Sequence, residues 1–284
     1  MQIKNFFKID RNKNAFSRNE KKNSQTVRKI HITDEKTSPF VITESFRKIV
    51  TNIGFAIPQK ENGKGKVFCV TSSFAGEGKT TISVNIALTC ARAGAKTVLI
   101  DCDLRKPTVL RYFPQSDKHG VVAYLSGKEK ELDNIIYHSE SGLDVLVVRQ
   151  TPPNPLVLLN SNVFDKLIDE LASQYDYVII DTPPLGLVSD ASIIGKKTDG
   201  IIIVTRQSHS NHRIIKDIVG QLKFAQTHIL GFILNDFTVA RDGYGGKYGR
   251  YGKYGKYGKY GKYEYKSEDE SKSENKNIAK KQTD

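Results

Sequence analysis

Val67-Phe68-Cys69-Val70-Thr71-Ser72-Ser73-Phe74-Ala75-Gly76-Glu77-Gly78-Lys79-Thr80-Thr81 is the stretch that decides the fold. Its first five residues are apolar or β-branched and predict a buried strand. Gly76 and Gly78 break the run, and an amphipathic segment from about Lys79 to Arg92 predicts a helix. Strand, glycine loop and helix form a phosphate cradle when backbone N–H groups line the turn. The following Lys reaches β/γ oxygens, and a hydroxyl at the next position can hold Mg²⁺. Gly76, Glu77, Gly78, Lys79, Thr80 and Thr81 are the candidate nucleotide-binding residues. A strict G-x-x-x-x-G-K-[ST] pattern would have glycine where this chain has Ser73. The alternative is a plain glycine turn with an incidental lysine.

Outward from this loop, the pattern alternates. Strands are predicted over Thr97–Asp101, Leu143–Val148, Tyr177–Asp181, Gly200–Thr205 and His228–Leu234. Helices are predicted around Ile42–Ile53 behind an N-cap at Thr43, at Val121–Leu125, Leu132–Tyr137, Val163–Ser173 and Arg213–Phe224. Near-continuous apolar strands separated by amphipathic helices imply an α/β fold of the P-loop NTPase kind. Its mostly parallel sheet is covered by helices on both faces. Ligands of such sheets bind at the carboxyl ends of the strands.

Two carboxylate motifs lie at such ends. Asp181 closes Val178-Ile179-Ile180-Asp181-Thr182-Pro183-Pro184, the setting of a Walker B carboxylate that holds Mg²⁺. By itself, an aspartate there is equally a turn or capping residue. Asp101 and Asp103 sit in Ile100-Asp101-Cys102-Asp103-Leu104-Arg105-Lys106-Pro107. They could hold Mg²⁺ or accept a proton from an attacking hydroxyl, with the two cations offsetting phosphate charge. A loop salt-bridge cluster is the plainer reading. Lys79 reads as acting on phosphates rather than in the core, and Asp101 is the first choice as proton acceptor, supported by Asp103.

The charge lies at the ends. Of a net +13, residues 1–36 carry +6 and residues 241–263 carry another +6, leaving a near-neutral middle. The expected organisation is a basic flexible arm over 1–36, a catalytic domain over 37–240 and a disordered tail over 241–284. Cys69, Cys90 and Cys102 have no metal-ligand spacing and read as reduced thiols. No run approaches the roughly 18–20 apolar residues of a membrane span, and the N-terminus does not read as a signal peptide.

The tail holds eight of the thirteen tyrosines: Tyr244, Tyr248, Tyr251, Tyr254, Tyr257, Tyr260, Tyr263 and Tyr265. A Lys-Tyr-Gly repeat cannot build a core, because glycine raises the entropy of ordering and little aliphatic surface is present. Interleaved Lys and Tyr suit stacking on nucleic acid. Beside a nucleotide site, the same phenols are phosphoryl acceptors.

Taken together, the glycine loop, the Asp101–Pro107 segment, the Asp181 motif and the tyrosine tail resemble the bacterial tyrosine kinases of capsular and exopolysaccharide export systems. Their Walker A, A′ and B motifs sit on a fold related to ParA/MinD ATPases. ParA/MinD proteins carry a signature Lys early in Walker A, where this chain has Phe74. The resemblance implies ATP and Mg²⁺, with Thr80, Asp101 and Asp181 around the metal and autophosphorylation of the tail. It places Asn235 at adenine, although Asn235 is equally a capping residue. Glu44 and Arg47 match half of the family's ring-assembly motif, and Val50 replaces its second Arg. It further implies a homo-oligomeric ring, a membrane adaptor of the chain-length-determinant type, an opposing protein-tyrosine phosphatase and no nucleic acid. The chain would be cytoplasmic, recruited to the inner face of the membrane by its adaptor. The rival is a positioning ATPase or a nucleotide-controlled nucleic-acid-binding protein.

Overall fold

Apolar strands become a two-faced sheet because successive side chains point to opposite sides, and both sides here are covered. The structure is a computed structural model describing residues 6–10, 32–34 and 37–237. In chain order it forms β1 (Phe6–Asp10), α1 (Phe40–Ala56), β2 (Lys66–Ser72), α2 (Lys79–Arg92), β3 (Thr97–Asp101) and α3 (Val121–Leu125). There follow β4 (Tyr137–His138), β5 (Leu143–Leu146), α4 (Pro155–Leu159), α5 (Asn162–Gln174) and β6 (Tyr177–Asp181). The last elements are α6 (Asp190–Gly195), β7 (Gly200–Arg206), α7 (His212–Phe224) and β8 (Ile229–Phe237). The eight tail tyrosines and the rest of 238–284 lie outside the described residues, as do most residues of the arm.

The strand order is β1-β8-β7-β2-β6-β3-β5-β4. Every pairing is parallel except β4 with β5. Val67 and Cys69 of β2 face a cluster with Leu167 and Leu171 of α5 and Ile218 and Leu222 of α7. Phe68 and Val70 face the opposite cluster, with Phe46, Ile49 and Ile53 of α1 and Ile82 and Ile86 of α2. Each fully buried Leu, Ile or Phe of this kind contributes about 1.5–3 kcal/mol of transfer free energy. The three cysteines are free and buried, consistent with reduced thiols.

Caps set the helix starts. Ser161 accepts from the Phe164 amide at α5, and Asn211 accepts from the Arg213 amide at α7. The start of α1 differs from the sequence expectation. It begins at Phe40 after Pro39, and Thr43 Oγ1 donates back to Phe40 O at 2.9 Å from inside the first turn. Phe40 and Val41 are exposed, so the buried periodicity used to place the helix could not register that turn.

Two further differences have local causes. The helix predicted over Leu132–Tyr137 is a single 3₁₀ turn, Leu132–Asn134, followed by β4. The chain turns back at Ser139–Gly142, with Gly142 at φ +76°, and His138 Nδ1 meets Asp144 Oδ1 across the hairpin at 2.6 Å. Within the arm expected to lack regular structure, Phe6–Asp10 adds a strand parallel to β8. An open sheet edge offers unpaired N–H and C=O groups to any extended segment, whatever its hydropathy.

Candidate active site

The sheet order assembles the site. β6 inserts between β2 and β3, and the β3–β6 register places Asp101 opposite Asp181. The same edge carries the glycine loop after β2, so all three predicted motifs meet at the carboxyl ends of three adjacent strands. On the far side of β2 the sheet continues into β7, which makes this a crevice of the type that open α/β sheets use for ligands.

Within the loop, Gly76 and Gly78 take φ of +88° and +96°, a left-handed conformation that side chains resist. A Cβ at Gly78 would lie 2.1 Å from Asn235 Nδ2, so the space requires glycine as well. α2 begins at Lys79, presenting the unpaired N–H groups of its first turn to the crevice.

Lys79 is buried between two carboxylates, 2.9 Å from Asp103 Oδ2 and 3.4 Å from Asp181 Oδ2. Thr80 Oγ1 donates to Asp181 Oδ2 at 2.7 Å and meets Thr108 Oγ1 at 2.9 Å. Ser83 Oγ donates to the other Asp181 oxygen at 3.0 Å. Asp101 is fully buried and accepts three backbone amides: Asp103 at 3.1 Å on one oxygen, Thr108 at 3.1 Å and Val109 at 3.0 Å on the other. Asp103 Oδ1 accepts the Lys106 amide at 3.0 Å.

Three carboxylates thus share one ammonium. Burial, reinforced by the Asp181 charge, pushes Asp101 up to about 7. Burial also raises Asp181, against the opposing pull of Lys79. For Lys79, burial by itself would favour the neutral amine, but Asp181 and Asp103 outweigh it and raise the group to about 12. The amine is charged, and the cluster retains a surplus of buried negative charge.

The remaining predicted residues fall into three groups. Thr81 Oγ1 lies 2.8 Å from the Tyr112 hydroxyl, on the first turn of α2. Asn235 sits at the loop, where its Nδ2 donates to Glu77 O at 2.9 Å and its Oδ1 accepts the Asp236 amide. Glu44 and Arg47 belong to α1, not to the nucleotide cluster. They form an i,i+3 pair at 3.9 Å, and Arg47 borders a cavity of about 410 Å³ with Val50, Thr51, Thr89 and Arg92.

Sequence reasoning missed several contributors. Ser83 and Thr108 bond to the Asp181–Thr80 pair but belong to no motif pattern. Asp190, fully buried at the start of α6, takes Arg105 through two hydrogen bonds of 2.9 and 3.1 Å, anchoring the Asp101–Pro107 loop. Phe74, at the position of the ParA/MinD signature lysine, sets its ring edge-on to His209 at 6.5 Å.

Comparison with known proteins places the chain. A family model described as an AAA domain matches residues 65–233. The tyrosine-protein kinase CpsD of Streptococcus pneumoniae serotype 4 is 41% identical over 203 residues, covering 71% of this chain and 87% of that one. The chain belongs to the bacterial tyrosine-protein kinases. Among solved structures, the kinase domain of the Escherichia coli tyrosine kinase ETK superposes with a TM-score of 0.65 at 32% identity, covering 72% of this chain and 81% of that one. The fold extends to the septum site-determining protein MinD of Pyrococcus horikoshii, with a TM-score of 0.54 at 24% identity over 62% of this chain and 72% of that one. The chain is thus more similar to the ETK kinase domain than to this MinD. Among the described residues, no helix is long and apolar enough to cross a membrane.

Proposed function

We propose that this member of the tyrosine-protein kinases transfers the γ-phosphoryl group of ATP to tyrosines of its own C-terminal cluster, between subunits. In this way it regulates capsular or exopolysaccharide synthesis and export. The observation that carries the reading is the convergence of Lys79, Thr80, Asp103 and Asp181 at one sheet edge in a chain of this family.

In this reading each residue has a stated role. Amides from Gly76 to Thr81 and the N-terminus of α2 bind the phosphates. Lys79, now paired with Asp103 and Asp181, turns to the β/γ oxygens when ATP supplies negative charge. The phenol oxygen attacks the γ-phosphorus, the bond to the β–γ bridging oxygen breaks, and ADP departs. The phenol proton, held with a pKa near 10, passes to a carboxylate as the new bond forms. Asp101 has both oxygens committed to backbone amides and is fully buried. This supports a reading in which Asp103, which Lys79 uncovers on turning to ATP, accepts the proton in place of Asp101, the sequence's first choice. Asp101 shapes the loop and supplies charge from behind.

Mg²⁺ fits the residues present. The site offers hard oxygen donors in carboxylate surplus, and Thr80 Oγ1 and Asp181 Oδ2 stand 2.7 Å apart. Among the described residues no three acidic, His or Cys side chains form a closed metal cage. Mg²⁺ requires none, because it keeps waters and phosphate oxygens and takes one or two carboxylates. Thr80 and Asp181 would hold it, with Asp101 behind them. When bound, the ion neutralises charge developing on the phosphates.

Further elements of the reading are a membrane adaptor that recruits and activates the kinase, a ring using Glu44 and Arg47, a phosphatase that resets the tail, and an adenine contact by Asn235. Each phosphotyrosine adds about −1.5 to −2 charges, so eight shift the tail by roughly −12 to −16 and reverse its basic character. Incubating purified protein with Mg-ATP and probing for phosphotyrosine tests the reading. Label on wild type that is lost in Lys79→Met supports it; ATP hydrolysis without phosphotyrosine contradicts it.

A further inference from the structure

Glu77 presents a puzzle. Its carboxylate is fully buried inside a loop built to receive anionic phosphates. Among the described residues, no lysine or arginine forms an ion pair with it. Instead it is ringed by neutral donors: Ser73 Oγ lies 2.9 Å from both oxygens, the Phe74 amide is 2.9 Å from Oε2, and Ser210 Oγ bonds to Oε1. A negative charge here opposes ATP electrostatically, so its presence calls for a compensating role.

We infer that Glu77 is a positioning residue: an internal strut that fixes the shape of the phosphate loop and ties it to the β7–α7 segment. Ser73 stands where a strict P-loop has glycine, and its hydroxyl turns inward onto Glu77, four residues on. The departure from the pattern and the buried glutamate are therefore one device, closing the loop from 73 to 77 across its interior. Ser210 joins from outside, accepting the Arg206 amide at 2.7 Å while donating to Glu77. Three more contacts hold the same loop from that side. Asn235 Nδ2 donates to Glu77 O at 2.9 Å, Arg206 reaches Gly76 O at 3.3 Å, and Phe74 packs edge-on to His209. Arg206 is itself fixed by Asp236, at 3.0 and 2.7 Å.

The consequence is preorganisation. Amides of Gly76–Thr80 are aimed before ATP arrives, so the ordering cost is met on folding and not on binding. Because the strut acts equally on bound substrate and transition state, losing it weakens ATP binding and leaves the chemical step alone.

The inference rests on the ATP-site reading, and binding alone can test it. Affinity for a fluorescent ATP analogue, together with KM and kcat for ATP, is measured on the full chain. Glu77→Ala raises Kd and KM by at least about 10-fold with kcat within about threefold of wild type. Glu77→Gln keeps the shape, and the Ser73 and Ser210 hydroxyls can rotate to accept from its amide, so it recovers to within about threefold of wild type. Ser73→Ala weakens binding, and the Ser73→Ala/Glu77→Ala double variant is no worse than Glu77→Ala, because both act through one strut. Should Glu77→Ala fail to fold, Ser73→Ala and Ser210→Ala decide by the same split. Unchanged Kd, multiplying effects in the double variant, a Gln variant as damaged as Ala, or a fall in kcat at constant KM would each overturn the strut. If wild type binds the analogue but labels no tyrosine, the kinase reading falls and the strut is still tested.

Discussion

Lys79→Met is the most informative perturbation, because the structure gives Lys79 a task before any nucleotide arrives. Its side chain is 11% exposed, beside Asp103 at 6% and Asp181 at 0%. Removing one partner from a buried ion pair costs about 3–5 kcal/mol, since the surviving charge loses its compensation. For a domain of this size, each kcal/mol moves the melting midpoint by roughly 2–4 °C. The nucleotide-free variant should therefore melt at least about 6 °C below wild type near pH 8. The deficit is pH-dependent, with a definite sign. Stripped of its lysine, Asp181, already raised by burial and no longer pulled down by Lys79, binds a proton more readily in the folded state than in the unfolded chain. Stability is then recovered as pH falls, by at most about 1.4 kcal/mol per unit for each proton. Between about pH 8 and about pH 5.5 the gap therefore narrows, by up to about 3 kcal/mol for one proton. Thermal melts monitored by circular dichroism at the two pH values measure both quantities. Equal midpoints near pH 8, or a gap that does not change with pH, would refute the claim that Lys79 neutralises the cluster.

Other outcomes follow from single contacts. Asp101, raised to about 7 by burial, should make the nucleotide-free fold lose stability as pH rises from about 4 to 7; Asp101→Asn should flatten that slope in urea titrations. Gly78→Ala meets both a positive φ and Asn235 Nδ2, so it should abolish binding of an ATP analogue while the far-UV spectrum stays native. Ser161→Ala removes the α5 cap and should cost about 1 kcal/mol in urea unfolding, with no change in ATP affinity.

The parallel strands and the glycine loop were legible because long apolar runs and paired glycines leave few alternatives. Strand order was not. Apolar runs such as Val178-Ile179-Ile180 carry no label for their neighbours, so the meeting of Asp101 with Asp181 depends on β6 entering between β2 and β3. Lys79 was legible as a phosphate ligand but not as a buried counterion, because burial arises from segments distant in sequence. The two-residue β4 is too short to show a period in any sequence window. Ser73 carried a readable signal: a serine in a glycine position asks for a partner, and Glu77 four residues later was the available one.

The central claim is that this kinase phosphorylates its own tyrosine cluster. Intact-mass spectrometry after incubation with Mg-ATP tests it most directly, comparing wild type with a variant in which Tyr244, Tyr248, Tyr251, Tyr254, Tyr257, Tyr260, Tyr263 and Tyr265 are all Phe. Wild type should show a ladder of phosphoryl additions, up to eight, and the variant almost none despite unchanged ATP binding. Equal labelling of both chains, carried by Tyr112, Tyr124, Tyr137, Tyr175 or Tyr177, would contradict it.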